Sequence, residues 1–140
     1  MEEKVIATKS NFTIITKVVT IVSLVIFILY PTSNEIYKIL NYVAIVAIVI
    51  TLILFIMQIL NPKNLITKKG DKIYLNKIHK RVAIELGAIS SINIKHKSNR
   101  GFKYQFGTIY IYTKINKVFK VANINNVDEV KRTLTNMINK

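Results

Sequence analysis

His79 and His96 are the only histidines in the chain, and there is no cysteine, so the side chains that hold transition metals are nearly absent. The two lie in different segments with few carboxylates near them, and no metal site is expected. His96 shares an alternating face with Ile92 and Ile94 and reads as a strand residue. Thiol nucleophiles, zinc–thiolate sites and disulfides are excluded, which fits a reducing compartment. Asp71 and Glu85 stand apart, without the spacing of a paired acid and base. Gly70, Gly87, Gly101 and Gly107 form no phosphate-cradling pattern and suit turns. The expectation is a non-enzyme with no cofactor and no bound metal.

The sequence offers binding instead. In residues 96–106 the cations Lys97, Arg100 and Lys103 are interleaved with Phe102, Tyr104 and Phe106. Such a segment can set rings at a lipid interface while its cations meet phosphates. The competing reading has Phe106 and Phe102 closing a core while the cations are solvated. Lys68, Lys69 and Lys72 are a second candidate, although lysines there also serve to block edge pairing. Nucleic acid could use the same charges and rings. However, only three cations of the last 80 or so residues are arginine, and no nucleic-acid motif is present.

These residues must be positioned by what precedes them, two apolar stretches within residues 12–60. Residues 39–60 carry no charge, and at about 1.5 Å per residue they reach roughly 33 Å, enough to cross a hydrocarbon core. At about 0.3–0.6 kcal/mol for each Ile, Leu, Val or Phe, the insertion term is roughly 5–9 kcal/mol. The first stretch, residues 12–31, is interrupted by Lys17, whose ammonium is expected to snorkel to the headgroups. The residues after Tyr30 offer no small-x-small cleavage site, so the stretch reads as a span rather than a cleaved leader. Tyr30 and Tyr42 are the expected interfacial anchors alongside Lys17. Residues 31–38 form a short polar break, suited to reversing direction between antiparallel helices.

Lysine placement sets the orientation. Lys4, Lys9 and Lys17 precede or begin the first span, Lys38 lies in the break, and Lys63, Lys68, Lys69 and Lys72 follow the second. A multi-pass protein with both termini in the cytoplasm is expected. Residues 1–11 read as a frayed cytoplasmic tail.

Residues 61–140 form a small cytoplasmic domain carrying 14 lysines and three arginines against Asp71, Glu85, Asp128 and Glu129, so almost the whole formal charge of +14 sits here. Next to a leaflet of anionic lipid, that charge is expected to meet headgroups. Pro62 ends the second helix and the pattern changes to alternation. Ile73 and Leu75, then Val82, Ile84 and Leu86, then Ile92 and Ile94, then Ile109 and Ile111, then Phe119 and Val121 mark inward faces of short strands. Residues 98–106 read as an irregular loop. Asn126 with Glu129 forms a capping box opening a terminal helix, whose apolar stripe is Val127, Val130, Leu134, Met137 and Ile138.

This order and its wording resemble the bacterial pleckstrin-homology-like domains of small membrane proteins. The matching residues are Lys72-Ile73-Tyr74-Leu75, Ile84-Glu85-Leu86-Gly87-Ala88-Ile89, Phe106-Gly107-Thr108-Ile109-Tyr110-Ile111 and Asn125-Asn126-Val127-Asp128-Glu129-Val130, within residues 64–139. The resemblance implies a membrane helical hairpin plus an α+β domain, the latter a split β-barrel of six or seven antiparallel strands capped by a C-terminal helix. It implies a binding module rather than a catalyst. Similar two-span proteins accompany some bacteriocin systems of Gram-positive bacteria, where they protect the producer's membrane. The expected function is therefore self-immunity in a bacterial cell membrane against a cationic membrane-active peptide. The alternative is a tethered scaffold that binds another membrane protein or anionic lipid.

Overall fold

The computed structural model describes residues 2–30 and 35–139 and divides into two units. One is helical, Asn11–Asn61. The other joins Met1–Ser10 to Pro62–Lys140 and is built mainly of strands.

In the helical unit, α1 spans Phe12–Leu29 and α2 spans Glu35–Leu60. Both are long and apolar enough to cross a membrane. They are antiparallel: Lys17 Nζ donates to the Leu54 carbonyl at 2.8 Å, and one turn toward the hairpin's open end Gln58 Nε2 donates to Thr13 Oγ1. Helix α1 buries no side chain and α2 buries only Ala44 and Gln58. Apolar residues such as Ile26 (65% exposed) and Ile53 (54%) have no protein cover. A core helix of a soluble protein would be covered. Thr16, Thr20, Ser23 and Thr51 turn their hydroxyls onto carbonyls three or four residues back, so the helices satisfy their own small polar groups.

Two details of this unit differ from the sequence reading. Helix α2 starts at Glu35 rather than Ile39, because Glu35 suits the first turn's dipole and pairs with Lys38 at 2.6 Å, one turn on. The rest of the expected break, residues 31–34, lies outside the described residues. Lys17 does not run along its helix toward an end but reaches across to α2, since a carbonyl on the facing helix is within range of its ammonium.

In the other unit, β1 (Lys4–Thr8), β2 (Asn64–Lys69), β3 (Lys72–Asn76) and β4 (Arg81–Glu85) form an antiparallel four-stranded sheet in that order. A short 3-10 turn, Leu86–Ala88, leads to a three-stranded sheet of β5 (Ile89–Asn99), β6 (Phe102–Thr113) and β7 (Val118–Ile124). The terminal helix α3 (Val127–Ile138) follows.

The alternation read from sequence sets which residues turn inward. Ile73, Leu75, Ile84, Ile109, Ile111 and Val121 are buried, and Val127, Val130 and Leu134 of α3 join the same core. Each such aliphatic contributes roughly 1.5–3 kcal/mol by leaving water. Met137 and Ile138 are only half-buried at the helix end. Asn126 does precede α3, but it adopts the left-handed conformation (φ 45°) and makes no side-chain cap, so the expected capping box does not form.

The N-terminal residues are the main correction. Instead of fraying, Lys4–Thr8 pair with β2, with Lys4 opposite Lys68 and Thr8 opposite Asn64. Ala7 is buried in the core. The strand then reaches the other sheet: Lys9 bridges Ile124, and Ser10 N donates to Asn123 O at 2.8 Å. Residues on both sides of the helical hairpin thus belong to one sheet. Glu3 extends the tie by accepting from Thr67 Oγ1 and from Arg81, whose guanidinium lies 4.1 Å from the Tyr74 ring centre.

Candidate membrane-surface site

The segment expected to be an irregular loop is the end of a long hairpin. Strand β5 continues to Asn99, β6 begins at Phe102, and only Arg100 and Gly101 turn between them. Both have positive φ, 46° and 87°, as a two-residue turn compatible with strand twist requires. Glycine adopts this freely; arginine does so at some cost. Ordinary alternation is broken near Lys97, where the register shifts between His96 and Ser98.

Of the residues proposed from sequence, Lys97, Arg100, Phe102 and Lys103 are brought together and exposed at this tip. Phe102 is 75% exposed, which removes it from the core. Tyr104 and Phe106 point elsewhere. Phe106 is buried, and the half-buried Tyr104 ring stacks on it at a 5.3 Å centroid distance and 29°. The segment is therefore divided: the tip carries exposed charge and a ring, and the base is a packed aromatic pair.

His96 fastens that base to the terminal helix. Its Nδ1 lies 3.0 Å from the Tyr104 carbonyl and its Nε2 lies 3.2 Å from Asp128 Oδ1. Both neighbours are acceptors, so a neutral ring donates to one of them and only an imidazolium donates to both. Gly107 lies beside it, opposite His96 in the ladder. A Cβ at Gly107 would run into the Lys95 carbonyl, so glycine is required by close backbone approach.

The second candidate, Lys68, Lys69 and Lys72, gathers at the β2–β3 turn, with Lys69 opposite Lys72 and Lys68 half-buried. Lys72 is paired with Glu85 at 3.2 Å. This group belongs to the four-stranded sheet and the hairpin tip to the three-stranded one, and no strand register joins the two. Tyr30 caps the end of α1 and is exposed, as is Tyr42 two turns into α2. Among the described residues no cluster of three metal-ligating side chains occurs.

An open groove of about 740 Å³ lies between the β2–β3 turn and the last turns of α3. Leu86, Met137 and Ile138 give it an apolar floor, while Lys68, Asp71 and Asn136 supply polar groups. Neither this groove nor the Glu3–Arg81–Tyr74 tie was legible in sequence, because each is assembled from residues far apart in the chain. The strand-forming run Val5-Ile6 was the available signal for β1. Compared with known proteins, the chain matches no family model, no curated protein and no solved structure.

Proposed function

We propose that the chain is a non-enzymatic, multi-pass bacterial membrane protein with both termini in the cytoplasm, whose β-rich unit is a PH-like split barrel acting at the membrane surface. The observation that carries the topology is the pairing of β1 with β2 across the helical hairpin. Strands on either side of an inserted pair of spans can meet only if the chain crosses an even number of times. The excess of lysine near both helix ends favours the cytoplasmic side for that shared sheet. A four-stranded and a three-stranded sheet closed by a terminal helix agree with the fold that the resemblance implies.

Within that frame, the activity proposed is protection of the producing cell against a cationic membrane-active peptide. A basic domain beside the leaflet would occupy anionic lipid that such a peptide needs, or the hairpin would meet the peptide in the bilayer. Expression in a bacteriocin-sensitive strain should raise survival. Unchanged killing by several peptides, with the protein present in the membrane fraction, would remove this reading.

The groove beside α3 favours a second reading, a tethered scaffold holding a segment of another membrane protein. Replacing residues 11–61 by a short flexible linker, with β1 retained, should then preserve partner capture, whereas immunity should be lost.

A further inference from the structure

The strand registers divide the four-stranded sheet into two ends of different character. At one end the chain passes into the helices, from Ser10 and from Pro62. Thr8 pairs with Asn64, and Lys9 N donates to Lys63 O at 2.9 Å. Strand β2 runs away from this end to Lys69, and β3 brings the chain back, so that Asn76 Nδ2 donates to Asn64 O at 2.9 Å. The β3–β4 loop therefore sits beside the two points of exit. The β2–β3 turn is five strand residues away, roughly 17 Å along the sheet.

The loop at the exit end is tight and cationic. Lys77 N donates to Lys80 O at 2.9 Å, which leaves only Ile78 and His79 to reverse the chain. Lys77 and Lys80 thus face each other across the ladder. Directly opposed residues project to the same face, and like charges so placed repel. Lys63, Lys77 and Lys80 are all exposed, and none is within ion-pair range of a described acidic residue. Asp71 in the turn and Glu85, which holds Lys72, lie toward the opposite end, and the Glu3 carboxylate is taken up by Arg81 and Thr67. The hairpin tip at Arg100 is less well placed. Lys9 and Ser10 run antiparallel to β7, so where the chain leaves the sheet it is heading away from that tip.

We infer that Lys63, Lys77 and Lys80 form the surface that lands on anionic phospholipid headgroups of the bilayer holding this chain's own helices. The inference rests on the reading that α1 and α2 span that bilayer. Asn64 is four residues beyond the last residue of α2, a reach of at most about 14 Å, so the lysines beside it are tethered within the range of headgroup charge. Phosphate relieves the repulsion between Lys77 and Lys80 that no carboxylate of this sheet relieves.

The absence of native cysteine permits a direct test on the full chain. Single cysteines at Lys77→Cys, Lys80→Cys or Lys69→Cys would carry a fluorophore, in vesicles of phosphatidylcholine with or without phosphatidylglycerol, doped with a headgroup-labelled quencher lipid. Labels at 77 and 80 should be quenched more when phosphatidylglycerol is present, with the gain lost in high salt, and the label at 69 should not respond. Reading the contact from a label on a further single cysteine, Lys63→Cys, the substitutions Lys77→Gln and Lys80→Gln should each weaken it about fivefold, while Lys69→Gln should leave it unchanged. Equal quenching in both lipids, or stronger quenching at 69, overturns the inference while the spans stand. Loss of the chain from vesicles on an alkaline wash overturns the spanning reading and this inference with it.

Discussion

The two units use the same residue types in opposite ways. In α1 and α2, isoleucine, valine and leucine point outward and almost nothing is buried; in the strands and α3 the same residues point inward, and Ile66, Ile73, Ile109 and Ile111 are among those sealed from solvent. The strand unit therefore makes its own apolar interior, while the helical unit needs one supplied. Polar residues divide in the same way. The helices return their hydroxyls to their own carbonyls, whereas the strand unit spends its polar groups on turns, such as Thr113, whose hydroxyl both accepts from Lys117 N and donates to Lys117 O.

The sharpest way to break this contrast is a matched truncation. Ile109→Ala should destabilise the strand unit by about 2–5 kcal/mol, because a buried side chain leaves a cavity; Ile53→Ala in α2 should cost under about 1 kcal/mol of insertion and leave the strand unit unchanged. Denaturant titration followed by tyrosine fluorescence in micelles measures both. Equal losses at the two positions would mean that the helices are packed against protein after all. Next in size is Gly107→Ala, where the added methyl meets the Lys95 carbonyl. A loss of about 1–3 kcal/mol is expected, with exchange of the amides flanking the β5–β6 pairing speeding up first.

Smaller effects separate the two kinds of polar link. Gln58→Leu removes the bond to Thr13 between the helices, and about 0.6 kcal/mol should be lost from hairpin association, read as faster exchange of α1 amides in micelles. Glu3→Gln weakens the tie to Arg81 in water-exposed surroundings. A change of no more than about 1 kcal/mol is expected, diminishing with added salt. If Glu3→Gln proved the costlier of the two, the tie would be acting as more than a surface pair.

The sequence revealed those features whose cause is local. Alternation located β2 to β7, Pro62 ended α2, and the apolar stripe marked α3, since each depends on side chains within a few residues. It failed where partners are distant. Residues 4–8 offer too short a pattern to separate from a tail, and the residues that make them a strand begin only at Asn64, beyond both helices. The turn at Arg100-Gly101 was missed for another reason. Arginine is an unusual occupant of a positive-φ position, so the segment read as loop although the strands on either side continue through it. For the candidate site, residue types identified the cations and rings, but only the registers separate the exposed tip from the packed Tyr104–Phe106 base and place Lys77 beside Asn64.

The placement of β1 also orders events during synthesis. This strand leaves the ribosome before the other described strands, yet its partner emerges only after both helices have been made. Until then Val5 and Ile6 have no neighbour, and the loop that must close to join them to β2 encloses the entire hairpin. On the proposed topology, completion of the sheet thus waits on both helices crossing, and a chain in which only one of the two crosses leaves its opening strand stranded across the bilayer from its mate.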